Sequence, residues 1–294
     1  MLRDDRGIKQ MKDIRTSVLY NREMAPGYYC LGIAAPEYPA LAQPGQFVML
    51  RITRDYDPLL RRPFGIFRTG VLQGGNPQFP PQEYMEVVYK VVGHGTNLMT
   101  RLNPGDEVDL LGPLGNGFRS GSSATVAPED ALLVGGGIGV VPLFMLAQQL
   151  VDQGARVRLL LGGRTCSDIL AVTEFERLGV ETYVATDDGT LGEEGLVTLV
   201  LERKLSKYPH AHVFACGPMP MLDAVEQRCR QAQAPLQVSL EALMACGVGA
   251  CLGCVVKGRE HSAQHPDYLC TCKQGPVFAA QELNWSSTAG EDQR

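Results

Sequence analysis

The sequence has no excess of basic residues: 27 lysines and arginines face 32 aspartates and glutamates, for a formal net charge of −5. A surface for nucleic acid or for anionic membranes needs the opposite balance, so neither partner is expected. An uninterrupted apolar run is also missing. Residues 131–151 are uncharged and long enough by count to cross a bilayer, but four glycines, Pro142 and the Gln148, Gln149 pair break the stretch. It reads as a strand, a turn and a helix. The opening Met1-Leu2-Arg3-Asp4-Asp5-Arg6 carries charge where an export signal needs an apolar core, and the expectation is a cytoplasmic chain. At 294 residues there is room for about two domains of roughly 150 residues. That excludes a minimal module held together by cross-links alone.

Glycine and cysteine stand out among what is present. Thirty-three glycines without a collagen-like period must serve tight turns and close approaches of backbone. Nine cysteines in a chain without an export signal point to metal, redox or catalytic chemistry rather than to disulfides. Five of them lie between positions 246 and 272.

Residues 14–119 show short alternating runs, at 28–33, 47–52, 85–92 and 107–111, separated by proline and glycine. This spacing predicts an antiparallel barrel or sandwich, with residues 73–82 at a hairpin tip. Residues 120–129, rich in serine, alanine and glycine, read as a linker. Across 130–235 the rhythm changes. Apolar strands at 131–134, 157–161, 181–185 and 212–215 alternate with helical stretches at 141–151, 174–178, 197–204 and 219–232, the signature of a parallel sheet with helical crossovers. Residues 236–285 form a cysteine-rich segment, 1–13 an extension and 286–294 a tail.

Cys246, Cys251 and Cys254 follow a Cys-x4-Cys-x2-Cys pattern, and Cys270 and Cys272 lie within reach as the fourth thiolate. This is the plant-type [2Fe–2S] spacing, and the glycines at 247, 249 and 253 allow the reversals such a loop needs. A zinc ribbon, the bland alternative, favours two Cys-x2-Cys pairs, and one is present here. His261 and His265 do not pair closely with cysteine as a Rieske centre requires.

Gly135, Gly136, Gly137 and Gly139 sit between a predicted strand and a helix start, where backbone donors and the helix dipole meet a pyrophosphate. Two further loops, at Asp187 and Asp188 and at Cys216 and Gly217, open on the same carboxyl edge, where open sheets bind ligands. Arg164, after the second strand of this sheet, could meet a ribose 2′-phosphate or only solvent. In the first half, Arg61 and Arg62 precede Phe64 at the end of a strand, a pairing suited to a diphosphate and a flat ring or, equally, to a surface ion pair beside a core aromatic. Residues 93–97, Gly-His-Gly-Thr-Asn, read as an anion-accepting turn into a short helix. A nicotinamide passes two electrons together as hydride and an iron–sulfur cluster takes one at a time. A flavin does both, so a chain with both sites implies a flavin between them.

In this order the motifs resemble the ferredoxin-reductase superfamily, and most closely the electron-transfer subunits of NAD-dependent dihydroorotate dehydrogenase. The matching phrases are residues 185–190 (ATDDGT), 239–251 (SLEALMACGVGAC) and 272–278 (CKQGPVF). The resemblance implies a flavin-binding barrel over 14–119, a nucleotide-binding α/β domain over 130–235 and a [2Fe–2S] segment over 236–285. It implies FAD held by Arg62, Pro63, Phe64 and Gly65, by Val88, Tyr89 and Lys90, and by Gly95 and Thr96. NAD falls to the glycine turn and the two edge loops, and the cluster to Cys246, Cys251, Cys254 and Cys272. The implied partner is an FMN-containing catalytic subunit, in a heterotetramer, that oxidises dihydroorotate in pyrimidine synthesis. Gly65 stands where the family carries serine or threonine. An apolar patch of Leu243, Met244, Val248 and Leu252 is the expected interface. The rival readings are a reductase subunit serving ferredoxin or polysulfide and a zinc-stabilised binding module.

Overall fold

The computed structural model describes residues 11–53, 56–73, 81–120, 127–259 and 268–285. The expected extension, the hairpin tip, most of the linker, both histidines of the cysteine segment and the tail fall wholly or largely outside these residues.

The first half is a closed antiparallel barrel of six strands, β1 (Lys12–Ala25), β2 (Tyr28–Ala34), β3 (Phe47–Arg51), β4 (Arg62–Leu72), β5 (Gln82–Lys90) and β6 (Glu107–Leu114), in the order β1-β2-β5-β4-β3-β6. Between a sandwich and a barrel, closure wins because β1 is long enough to pair with β2 along one stretch and with β6 along another. Short helices α1 (Tyr38–Leu41) and α2 (His94–Met99) lie in the connections. Leu31, Ile33, Val48, Leu50, Met85 and Val87 fill the interior.

The second half is a seven-stranded sheet. Its parallel strands are β7 (Asp130–Gly136), β8 (Arg156–Gly163), β9 (Glu181–Thr186), the two-residue β10 (Glu193–Glu194), β11 (His212–Cys216) and β12 (Leu236–Ser239). Helices α3 (Phe144–Asp152), α4 (Val172–Arg177), α5 (Val197–Lys207) and α6 (Met219–Ala232) form the crossovers. Both faces of the sheet are covered, which is why Leu132, Leu133 and Val134 are apolar in succession and all buried. The helix expected over 141–151 begins later. Residues Gly137–Leu143 form a 3₁₀ turn first, because Pro142 has no N–H to enter an α-helical ladder.

Two strands differ from the sequence reading. β12 lies beyond the stretch expected to form the parallel sheet, and the cysteine segment returns to it: β15 (Val277–Ala279) pairs antiparallel with β12. Between them a small hairpin, β13 (Val255–Lys257) and β14 (Tyr268–Cys270), stands by itself. Barrel and sheet share one apolar core, in which Phe67 of β4 meets Phe144 of α3 with ring centroids 4.7 Å apart and Phe144 meets Phe175 of α4 at 5.2 Å.

Candidate functional site

β7 and β11 lie side by side, but the chain leaves toward β8 on one flank and toward β12 on the other. Such a reversal opens a crevice at the carboxyl edge of the sheet. A cavity of about 590 Å³ lies there. Gly136 at the end of β7, Gly137 after it, and Gly217 and Pro218 after β11 form its floor. Gly137 holds a left-handed backbone, φ 54°, with open space where a side chain would project. Gly139 is buried beneath the floor, and any side chain there would collide with the carbonyl oxygen of Cys216. Gly135 is equally buried, against Leu161 and Val140.

The two edge loops behave differently from one another. Asp187 lines the cavity. Asp188 is exposed outside it and accepts from the backbone N–H and hydroxyl of Thr190 at 3.0 and 2.6 Å, a turn-closing role. Burial pushes the Cys216 thiol far up, which makes it a neutral packing group under the floor.

One wall comes from the barrel. Tyr28, which opens β2, and Lys90, which ends β5, line the cavity beside Asp168 from the loop after β8. The Tyr28 phenol donates to Asp168 Oδ1 at 2.6 Å and Lys90 Nζ donates to the same oxygen at 3.3 Å, while the Arg164 N–H donates to Oδ2 at 3.3 Å. Burial raises this carboxyl, but the hydrogen bonds outweigh it and hold Asp168 below the usual carboxylate range. Arg164, 79% exposed, adds an ion pair to Asp168 at 3.7 Å.

Arg62, Pro63, Phe64 and Gly65 open β4 rather than closing a strand as expected, and they pair with Leu50, Met49, Val48 and Phe47 of β3. The Arg62 side chain lies across Gly95, where any Cβ would make it shift. The Thr96 hydroxyl accepts from the N–H groups of Val92 and Gly93 at 2.9 and 3.1 Å and so closes the first turn of α2. Val88 and Tyr89 are buried, leaving Lys90 as the member of that trio on the cavity wall. The Tyr89 ring stacks on Tyr29 at 5.5 Å and meets the edge of Phe64 at 6.2 Å. Gly65 faces the sheet: a Cβ placed there would lie 3.5 Å from Pro142 and 4.0 Å from Val141, just beyond the glycine turn.

The cysteine loop rests on the other side of β3. A Cβ at Gly247 would lie 2.5 Å from Met49, so the loop backbone packs directly on that strand. Cys254, Cys270 and Cys272 are buried with Phe47, Met49 and Leu114, and Cys251 is exposed. Among the described residues, no three His, Cys, Asp or Glu side chains are grouped to hold one metal ion. Cys251 lies against Cys246, and both Cys272 and Cys270 lie against Cys254. The Cys251 N–H donates to Cys246 Sγ at 3.5 Å, and the Cys272 N–H donates to Cys254 Sγ at 3.4 Å. Two thiolates for each of two irons is the donor set of a [2Fe–2S] cluster, so these residues fit that group better than a single zinc ion. Burial raises the Cys246 thiol, but backbone N–H groups of Val248 and Cys251 outweigh it and bring it down to about 6, as a thiolate ligand needs. Of the two candidates for the fourth position, Cys272 receives an N–H from the loop itself, Gly249, at 3.1 Å, whereas Cys270 ends β14.

Leu243, Val248 and Leu252 are exposed around this loop, joined by Val255 and Tyr268 on the hairpin. Met244 does not belong with them. It is half-buried against the cluster that Phe47, Met49 and Leu114 form with the buried cysteines.

Barrel, sheet and cysteine loop together define an iron–sulfur oxidoreductase of the ferredoxin-reductase type. Residues 241–284 match the iron-sulfur cluster binding domain of dihydroorotate dehydrogenase B, and residues 133–227 match an oxidoreductase NAD-binding domain. The electron transfer subunit of dihydroorotate dehydrogenase B (NAD(+)) from Geobacillus thermodenitrificans is 41% identical over 271 residues, covering 92% of this chain and 97% of that one. The corresponding subunit from Bacillus pumilus is 36% identical over 274 residues, covering 93% and 98%. The chain therefore belongs to the family of electron-transfer subunits of NAD-dependent dihydroorotate dehydrogenase. Among solved structures, a chain of the NADH-dependent reduced ferredoxin-NADP oxidoreductase superposes with a TM-score of 0.75 at 26% identity, covering 93% of this chain and 91% of that one. The ferredoxin reductase of carbazole 1,9a-dioxygenase, with a TM-score of 0.63 at 20% identity and coverage of 78% and 69%, shares the fold.

Sequence reasoning missed Tyr28, Asp168 and Glu241, all of which line the cavity. Asp168 carried a weak signal, a polar loop closing a buried strand at the ligand edge. Tyr28 carried none, because its position depends on how the barrel sits against the sheet.

Proposed function

We propose that this chain moves electrons between NAD and its [2Fe–2S] cluster by way of FAD, and exchanges them with an FMN-containing catalytic subunit that interconverts dihydroorotate and orotate. One observation supports the reading: the segments we assign to the three cofactors lie against one another in order. Pro142, after the glycine turn, meets Gly65; Gly65 and Pro63 pair with Phe47 and Met49; and Met49 carries Gly247 of the cysteine loop. When bound, FAD supplies the conversion between a hydride pair and single electrons.

In this reading Arg62 offers its guanidinium to the flavin diphosphate, with Gly95 leaving it room and Thr96 fixing the turn beside it. Phe64, Val88 and Tyr89 stiffen the strands that present Pro63, Gly65 and Lys90. Gly136, Gly137 and Gly217 let backbone N–H groups approach the dinucleotide, with Gly135 and Gly139 packing that turn, while Asp187 faces its ribose and Cys216 seals the floor. Asp188 holds the neighbouring turn. Cys246, Cys251, Cys254 and Cys272 ligate the irons. The exposed Leu243, Val248 and Leu252 face the partner, in a heterotetramer of two copies of each subunit, in the cytoplasm. Among the described residues no helix is long and apolar enough to cross a membrane.

Anaerobic purification of the full chain, followed by quantification of flavin, iron and sulfide, tests the reading. We expect a brown protein holding one FAD and one two-iron cluster per chain, bleached by NADH. A colourless protein holding zinc would overturn it. Turnover with ferredoxin or polysulfide, and none with a dihydroorotate-oxidising subunit, would move it to the other reductases.

A further inference from the structure

Glu241 lines the cavity from the segment after β12, apart from the other two lining acids, Asp168 after β8 and Asp187 after β9. It lies two residues past the carboxyl end of β12, whose last residue, Ser239, pairs with Cys216. Its carboxyl has no hydrogen-bond or ion-pair partner among the described residues, yet it is close enough for its charge to act on the buried Cys216 thiol. Five residues further along the chain is Cys246, and Gly247 then packs on Met49, the strand partner of Pro63. Glu241 therefore marks the side of the cavity that continues into the cysteine loop and the flavin motif. The opposite side, after β8 and β9 and at the start of α5, has Asp187 and Thr198 for the adenosine half.

On the electron route proposed above, the nicotinamide ring belongs at the flavin side. That ring carries a positive charge when oxidised and none when reduced. An unpaired carboxylate beside it distinguishes the two states by charge alone, without a change of shape. We propose that Glu241 is a specificity-determining residue that reads the redox state of the bound nicotinamide, its ionised carboxyl favouring the oxidised, cationic dinucleotide over the reduced, neutral one.

The surroundings make the group responsive to pH. Glu241 is exposed at the cavity's edge, yet the protein around it costs its carboxylate some hydration and raises its carboxyl above the ordinary range. The other titratable groups facing the cavity are Tyr28 and Lys90 from the barrel, Arg164 and Asp168 after β8, and Asp187 after β9, with Cys216 beneath. Tyr28, Lys90 and Cys216 are shifted upward from values already above neutrality, and Asp168 downward. Glu241 is thus a cavity carboxyl that takes up a proton more readily than an ordinary one. Protonated, it loses its preference. Ionised, it regains it, so affinity for the oxidised dinucleotide rises with pH, and by linkage binding of that form releases a proton.

The test uses oxidised holoenzyme and two probes by calorimetry: NAD+ and 1,4,5,6-tetrahydro-NAD, a neutral dinucleotide that cannot give up hydride. We expect Glu241→Gln to weaken NAD+ binding about five- to tenfold, the effect of one screened unit charge several ångströms away, and to leave the neutral probe unchanged. In the unsubstituted protein the ratio of the two affinities should shift toward NAD+ as pH rises, and Glu241→Gln should flatten that shift. Equal effects on both probes, or none on either, would overturn the inference while leaving the proposed function standing. Failure of the holoenzyme to bind either dinucleotide would instead remove the function reading. Should Glu241→Gln fail to hold its cofactors, a ratio independent of pH in the unsubstituted protein would overturn the inference by itself.

Discussion

The phenol of Tyr28 and the carboxylate of Asp168, 140 positions apart in the chain, are joined by a hydrogen bond of 2.6 Å. It ties the barrel to the nucleotide sheet at the lip of the shared cavity, and Lys90 reinforces it from the same strand layer.

Replacing this carboxylate tests the tie. Asp168→Asn should lower stability by about 1–3 kcal/mol, the range for hydrogen bonds to a charged group. Because Asp168 is held below its ordinary value when folded, its contribution is present above about pH 4 and is lost as pH falls through the depressed value. The difference in Tm between the two proteins should be full at pH 6–8 and shrink on acidification below about pH 4.

The glycine turn separates two kinds of glycine. Gly139→Ala forces a methyl onto backbone of β11 and should cost about 1–3 kcal/mol or more, with NAD binding lost as β7 and β11 move apart. Gly137→Ala meets open space and should cost about 1–2 kcal/mol for its left-handed backbone. Thermal denaturation and calorimetric titration of NAD distinguish them.

Iron content decides between the neighbouring thiols. Cys272→Ser should lose most of the iron and the visible absorption of the cluster. Cys270→Ser, whose residue ends β14 and whose N–H donates to Gln274 Oε1 at 2.6 Å, should keep both.

Gly65→Ser adds back a hydroxyl. Its Cβ would make ordinary contacts with Pro142 and Val141, so stability should change by less than about 0.5 kcal/mol. Stopped-flow reduction of the flavin by NADH should accelerate severalfold, about the effect of one hydrogen bond of ~1 kcal/mol.

Leu252→Asp places a charge in the exposed patch at a left-handed position, φ 57°, that aspartate tolerates better than most residues. Association with the catalytic subunit should weaken about tenfold or more, read by size-exclusion chromatography, with FAD content unchanged.

The parallel strands were legible because a sheet covered on both faces needs unbroken apolar runs, and α6 was read at its full length from its periodicity. The thiolate spacing announced the cluster for an equally local reason: the loop must bring three sulfurs together within nine residues. What escaped was long-range. Nothing near Val277, Phe278 or Ala279 says that they complete a sheet begun at position 130, because β15 is only three residues long and its partner strand is four. Likewise Arg62 to Gly65 look like a strand's end when read along the chain, since two arginines and a proline disfavour pairing. In the fold they open the strand, with β3 supplying the partners.

The cysteine segment is laced to the nucleotide sheet through β15, and the side-chain amide of Asn116 at the barrel's end donates to the carbonyls of Lys273 and Gln274 at 3.2 and 2.8 Å. A ferredoxin on a free tether would have to diffuse to its donor in every cycle. Here strand pairing and hydrogen bonds dock the cysteine loop against barrel and sheet, so no swing of a tethered domain is needed to bring it to the barrel.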